Sequence, residues 1–201
     1  MPWKISRVLL CMVFSTVMMV SCVHLATFAE ANPIDTEVVI SFDFLRQSTI
    51  ASNQVALWVE DEEGHAVRTL LVTSFTAGRR GYQSRDMSLA QWVTAAHPEN
   101  MTQQELDAIS SATPSSGRLE YIWDMTYGQG MPVPDGIYRI CLEGTLLWES
   151  AVLYTAEIRI DEASPGPLQV TTERNQPDNH DNEDMIQNVS MSVNEKRGVN
   201  P

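Results

Sequence analysis

Residues Thr36–Phe44 read TEVVISFDF. Val38, Ile40, Phe42 and Phe44 recur at every second position. A period of two places all four on one face of an extended strand. The same alternation returns at Val55, Leu57 and Val59 in QVALWVED, and at Leu119, Tyr121 and Trp123 in RLEYIWD. It returns again at Tyr138, Ile140 and Leu142 in GIYRICLEG, and at Tyr154, Ala156, Ile158 and Ile160 in LYTAEIRID. AVRTLLV, from Ala66 to Val72, is a further candidate strand. Asp61-Glu62-Glu63-Gly64 and Pro134-Asp135-Gly136 supply turn chemistry between the runs. Many short strands separated by turns predict an all-β fold, an antiparallel β-sandwich with one face of each strand buried.

The stretch 75–116 breaks this pattern and predicts a partly helical insertion. MSLAQWVTAA (Met87–Ala96) and TQQELDAI (Thr102–Ile109) carry helical periodicity. Ser88 and Thr102 are the expected N-caps, and Glu105 completes a capping box with Thr102. Long insertions in compact domains are often functional, and the plain alternative is packing on a sheet edge. Past Asp161 the composition changes. Residues 162–184 contain Pro165, Pro167, Pro177 and the run DNHDNED, and read as an acidic flexible segment. Val189, Met191 and Val193 predict one last strand within 185–201, followed by a frayed tail.

The first residues have the form of a secretory signal over 1–31. Met1–Arg7 is basic, Val8–Val20 is apolar, and Ala29-Glu30-Ala31 is an A-x-A cut before Asn32. The apolar run is short for a membrane span, so no span is expected in the mature chain. The expected destination is the periplasm or the medium. Met19-Val20-Ser21-Cys22 is a degenerate lipobox, so an alternative is a lipoprotein anchored through Cys22. The mature chain, with a sandwich over 32–161, keeps only Cys141, which excludes an internal disulfide. Cys141 reads as a half-buried small hydrophobe. The 201 residues carry a formal charge of −13. That charge argues against nucleic acid and anionic membrane surfaces as partners.

Tyr121–Gly144 reads YIWDMTYGQGMPVPDGIYRICLEG. Its pattern W-D-x-x-x-G-x-G-x-x-V-P-x-G-x-Y resembles the Ig-like modules of the flagellar hook-capping protein. Trp123 is expected to close a strand in the core, and Asp124 to hydrogen-bond the loop backbone. Gly130 and Gly136 would permit positive φ, Pro134 would preset a turn, and Tyr138 would start the returning strand inward. With the insertion, DAISSAT and LWESAVLYTAEIRI, the stretch Glu37–Asp161 resembles the predicted periplasmic proteins of domain of unknown function 2271. The resemblance implies a secreted Ig-like or fibronectin-like sandwich without assigned catalytic residues. It also implies other extracytoplasmic proteins as partners, in the company of flavin, haem-type redox or iron-uptake modules.

Asp107–Thr113, DAISSAT, is similar to the flavinylation motif D-x-x-S/T-G-A-T, whose last Thr takes FMN through a phosphodiester. Asp107, Ser110, Ala112 and Thr113 match, and Ser111 stands in place of the Gly. Ser disfavours backbone shapes that Gly permits, and Pro114 biases Thr113 to extended geometry. The preferred reading is a capped helix end entering a Ser/Pro loop, with no cofactor. A covalent FMN carrier anchored at Thr113 is the alternative.

Other chemistry is sparser. His65, His97 and His180 are dispersed without zinc-site spacing. His97 with Trp92 could face a ligand such as haem, but a solvated helix end is the simpler reading. DNHDNED has oxygen ligands at alternate positions but lacks the Gly and distal Glu of a calcium loop. Arg79, Arg80 and Arg85 cluster near Tyr82 and could meet an anion or an acidic partner. No nucleophile stands in a triad motif, and the Asp61-Glu62 pair lies in a turn open to water. The expectation is a non-enzymatic binding or scaffold protein.

Overall fold

The computed structural model describes residues 36–48, 53–146, 150–175 and 184–196. The signal sequence, Cys22 and DNHDNED up to Glu183 lie outside the described residues, as do the last five residues and the side chains of Arg79 and Arg80. The elements in chain order are β1 (Thr36–Phe44), β2 (Gln54–Glu60), β3 (Ala66–Thr73), α1 (Ser74–Ala77), α2 (Arg79–Ser84), α3 (Ala90–Ala96) and α4 (Gln103–Ile109). They continue with β4 (Ser110–Ser111), β5 (Gly117–Trp123), β6 (Ile137–Thr145), β7 (Ala151–Arg159), β8 (Gly166–Pro167), β9 (Thr171–Asn175) and β10 (Ile186–Glu195). The fold is all-β: a sheet ordered β5-β1-β10-β8 and a sheet ordered β4-β3-β2-β6-β7-β9. All pairings are antiparallel except the short β3–β4 pair.

The alternation defines the core between the sheets. Val38, Ile40, Phe42 and Phe44 of β1 meet Val55, Leu57 and Val59 of β2 there, and Ile140 and Leu142 of β6 join them, all buried. Trp123 is fully buried at the end of β5. Its ring centre lies 5.7 Å from that of Tyr138, tilted by 57°, and its Nε1 donates to the Thr126 carbonyl at 3.0 Å. The Tyr138 hydroxyl donates to the Pro134 carbonyl at 2.9 Å, tying the loop to the first turn of β6.

Two details of this loop differ from expectation. Asp124 accepts a bond from the Thr126 hydroxyl at 2.6 Å rather than from loop backbone. Gly130 has φ +77°, but the second left-handed residue is Met125 at +59°, not Gly136. Met125 is fully buried, so packing of its side chain offsets the backbone strain that Gly would have avoided.

The described residues after Asp161 include strands that composition did not suggest. They carry β8 and β9, and β10 lies between β1 and β8 in the smaller sheet. The sandwich therefore extends to Glu195. Strand β9 (TTERN) is exposed throughout. An edge strand gains its place through backbone bonds to β7, so apolar alternation is not required of it.

The insertion packs on the outer face of the larger sheet and builds a second core. Trp58, Ala56, Val72 and Cys141 of the sheet meet Leu89, Trp92, Ala95 and Ala77 of the insertion. Cys141 is thus fully rather than half buried, and burial pushes its thiol pKa up. Strand β2 is buried on both faces. Thr102 caps α4 as expected, accepting from Glu105 N at 3.3 Å while Glu105 Oε2 accepts from Thr102 N at 2.7 Å. Ser88 does not cap. It is fully buried and shares a 2.6 Å hydrogen bond with Thr76, and α3 starts only at Ala90, after Leu89 in a left-handed conformation. Gly81 lets α2 press against α1: a Cβ there would stand 1.6 Å from the Phe75 carbonyl oxygen.

Trp123→Ala removes the largest side chain from the loop end of the core. The expected loss is roughly 3–5 kcal/mol of stability, read by urea unfolding. A change near zero would contradict the packing described.

Candidate functional site

The start of α3 is held from below. Glu143 lies on the outer face of β6, 1% exposed. Its Oε2 accepts from Trp92 N at 3.0 Å and its Oε1 from Gln91 N at 3.4 Å. A sheet carboxylate thus does the capping that Leu89 cannot. Trp92 is anchored at its other end by Nε1 donating to Thr69 Oγ1 at 3.1 Å. Beside this contact, Gln54 Oε1 accepts from Thr73 and Thr76 at 2.6 and 3.0 Å, and Thr76 continues to Ser88. On the same outer face, buried Glu60 accepts from Trp58 Nε1 at 2.9 Å and from the Arg139 guanidinium.

With the insertion fixed in this way, a groove of about 460 Å3 opens between β3 and α4. Ala66, Arg68 and Thr69 line one wall, Glu105 and Ala108 the other, and Gly128 of the Trp-Asp loop closes an end. Segments far apart in sequence therefore converge here. The polar groups at the groove are already engaged. Arg68 donates to the Tyr127 carbonyl at 3.0 Å, Glu105 serves the α4 cap, and Thr69 receives Trp92. A second cleft, of about 360 Å3, is lined by Met87, Gln91, Glu143 and Arg174.

The DAISSAT residues do not converge on a pocket. Asp107 is exposed and accepts from Gln103 Nε2 at 2.8 Å. Ser110 pairs with Val72 in the parallel β3–β4 pair. Thr113 is partly buried, and its hydroxyl donates to the Asn53 carbonyl at 3.3 Å. None of the three lines the groove, although Ala108 and Ile109 between them do. Arg85 is not a solvated loop cation: it is partly buried and donates to the Leu146 carbonyl at 2.8 Å. Trp92 is fully buried while His97 is exposed, so the two do not face a common ligand.

The structure does join two histidines that are 32 positions apart in the sequence (65 and 97). The His65 and His97 ring centres lie 6.5 Å apart with an interplanar angle of 43°. Sequence spacing could not reveal this pair, because the hairpin turn and the α3 C-terminus meet only in the fold. Glu143 had a legible signal. Ala56 and Trp58 are apolar at the outward positions of β2, so the neighbouring outward positions of β6 were also due to be covered.

A family model described as predicted periplasmic protein, DUF2271, matches residues 35–176. The chain belongs to this family. The earlier resemblance over Glu37–Asp161 falls within the matched span. No curated protein and no solved structure matches the chain. The family description places this DUF2271 protein in the periplasm. Among the described residues, no helix is long and apolar enough to cross a membrane.

Burial raises the Glu143 carboxyl to about 7, against the opposing pull of the backbone N–H groups of Trp92, Gln91 and Ala90. The folded chain thus holds this proton more tightly than the unfolded chain, whose carboxyl titrates near its ordinary 4.5. The stability linked to this group is fully present below the unfolded value and is lost as pH rises through about 7. Relative to Glu143→Gln, the native protein should therefore lose melting temperature between pH 5 and pH 8. Parallel pH profiles for the two proteins would remove this assignment.

Proposed function

We propose that this DUF2271 protein is a non-catalytic binding or scaffold component of the periplasm, with the groove between β3 and α4 as its contact surface. The supporting observation is the fixed insertion: its helices are welded to the outer sheet face, and the groove's polar groups are bonded within the protein. Such a surface presents shape and backbone with little spare acid–base chemistry. The Trp123–Tyr138 loop, read as part of an Ig-like module, contributes Gly128 to the same groove. The partners we infer are other extracytoplasmic proteins, and the family resemblance points to those of redox or iron-uptake modules. The mature chain is read as free, starting at Asn32, rather than lipidated at Cys22.

The test uses the secreted chain, co-expressed with a periplasmic flavin transferase. A photo-crosslinking residue is placed at Ala108 in the groove or at Gln187 on the other sheet. The expected protein is colourless and unmodified by intact mass, with a discrete periplasmic adduct from position 108 and none from position 187. A flavin-sized mass increment lost in Thr113→Ala would replace this reading with an electron carrier bearing covalent FMN. Equal adducts from both positions would remove the groove from the proposal. The same mass separates a lipidated Cys22 from an Asn32 start.

A further inference from the structure

His65 and His97 each sit on a pinned turn. His65 ends the β2–β3 turn, where its N–H donates to Asp61 Oδ1 at 2.9 Å and its carbonyl accepts from Asp61 N at 3.0 Å. His97 ends α3 in a left-handed conformation at φ +49°. Its N–H donates to the Val93 carbonyl at 3.1 Å and its carbonyl accepts from Asn100 N at 2.9 Å. The backbones that carry the two rings are therefore fixed, while the side chains stay 64% and 50% exposed.

Each ring has a carboxylate on its Nδ1 side. His97 Nδ1 lies 3.0 Å from Glu99 Oε1, and His65 Nδ1 lies 3.7 Å from Asp61 Oδ1. The Glu99 carboxylate at His97 Nδ1 favours the proton there and leaves the Nε2 lone pair free to bind, whereas Asp61, at 3.7 Å, stands near His65 Nδ1 without a hydrogen bond. Among the described residues, neither Nε2 takes part in a hydrogen bond. The spacing suits a bridging ion. A metal–nitrogen bond of about 2.0 Å puts an ion about 3 Å from each ring centre, so two imidazoles on opposite sides of it lie about 6 Å apart. The observed separation is 6.5 Å. No group of three or more ligating side chains occurs among the described residues, so water must fill the remaining positions.

We propose that His65 and His97 form a two-imidazole site for a divalent late transition metal, with Cu(II) the preferred ion. Imidazole nitrogens favour copper, nickel and zinc, and Cu(II) leads the stability order while accepting opposed nitrogens in a tetragonal field. Asp61, Glu62, Glu63 and Glu99 flank the pair in sequence, and the whole chain carries −13, which attracts a cation to this rim. The site lies beside the groove's two walls in sequence: His65 precedes Ala66, and His97 lies shortly before Met101, which also lines the groove. It is independent of the scaffold reading, because a metal can bind whether or not a protein partner does.

The experiment titrates CuCl2, NiCl2 and ZnCl2 separately into the full secreted chain at neutral pH in metal-free buffer. Calorimetry gives affinity, and electron paramagnetic resonance of the copper form gives the ligand set. The expected result is one Cu(II) per chain with a nitrogen-coordinated signature, bound more tightly than nickel or zinc. His65→Ala and His97→Ala should each weaken binding at least tenfold, and the double variant, left with neither imidazole, should bind more weakly than either single. Glu99→Gln should weaken it about tenfold through the orienting bond, and His180→Ala should change nothing. Both rings are exposed, so the circular dichroism spectra of the variants should match the native one. Binding unchanged in both single variants, or lost in His180→Ala, would overturn the site, as would the absence of stoichiometric copper binding.

Discussion

The insertion depends on a carboxyl group placed where a sheet would ordinarily meet water. Glu143 projects from the outer face of β6 and receives the first N–H groups of α3. Those donors have no partner within the helix, and Leu89, in the capping position, has no side-chain acceptor to offer. Without Glu143, α3 would begin with buried, unbonded donors against an apolar sheet. With it, Trp92 is directed onto Trp58 and Thr69, and the residues between β3 and α4 take one arrangement. The groove and the histidine pair both follow from that arrangement, since each has one wall on the sheet and one on the insertion.

The same arrangement explains why β2 is apolar on both faces. A sandwich strand with one face in water would carry polar residues opposite Val55, Leu57 and Val59. Instead Ala56 and Trp58 stand there, covered by Leu89, Trp92 and Ala95. The larger sheet is thus the middle layer of three, and Glu60, Gln54 and Glu143 on its outer face are bonded within the protein, whereas the buried Thr145 hydroxyl has no partner among the described residues. Glu60 is bonded by Trp58 and Arg139, and Gln54 gathers Thr73 and Thr76. Buried polar groups bonded this fully favour one docking geometry over a sliding apolar contact.

The proposed contact surface belongs to a DUF2271 protein of the periplasm. The groove draws on β3, on α4 of the DAISSAT helix and on the Trp-Asp loop, the three stretches that stood out in the sequence for separate reasons. Thr113 lies past the end of that helix with its hydroxyl bonded to Asn53, outside the groove. His65 and His97 border this surface in sequence, the first next to Ala66 and the second shortly before Met101.

By itself the sequence determined most of the strands and their inward faces, because side chains alternate with a period of two and apolar residues recur at the inward positions Val38–Phe44 of β1, Tyr138–Leu142 of β6 and Val152–Ile158 of β7. It also determined the α4 cap and the inward placement of Trp123 and Tyr138, since a capping box acts within a few positions and an inward face follows the period of two; the loop between them departed from expectation at Asp124 and Gly136. Tertiary structure alone decided which polar residues are buried, the place of β9 and β10 in the sheets, and the meeting of His65 with His97. These depend on contacts between distant segments. A cap delivered by another strand, an edge strand held by backbone bonds, and two turns brought together by a docked helix leave no local periodicity to read.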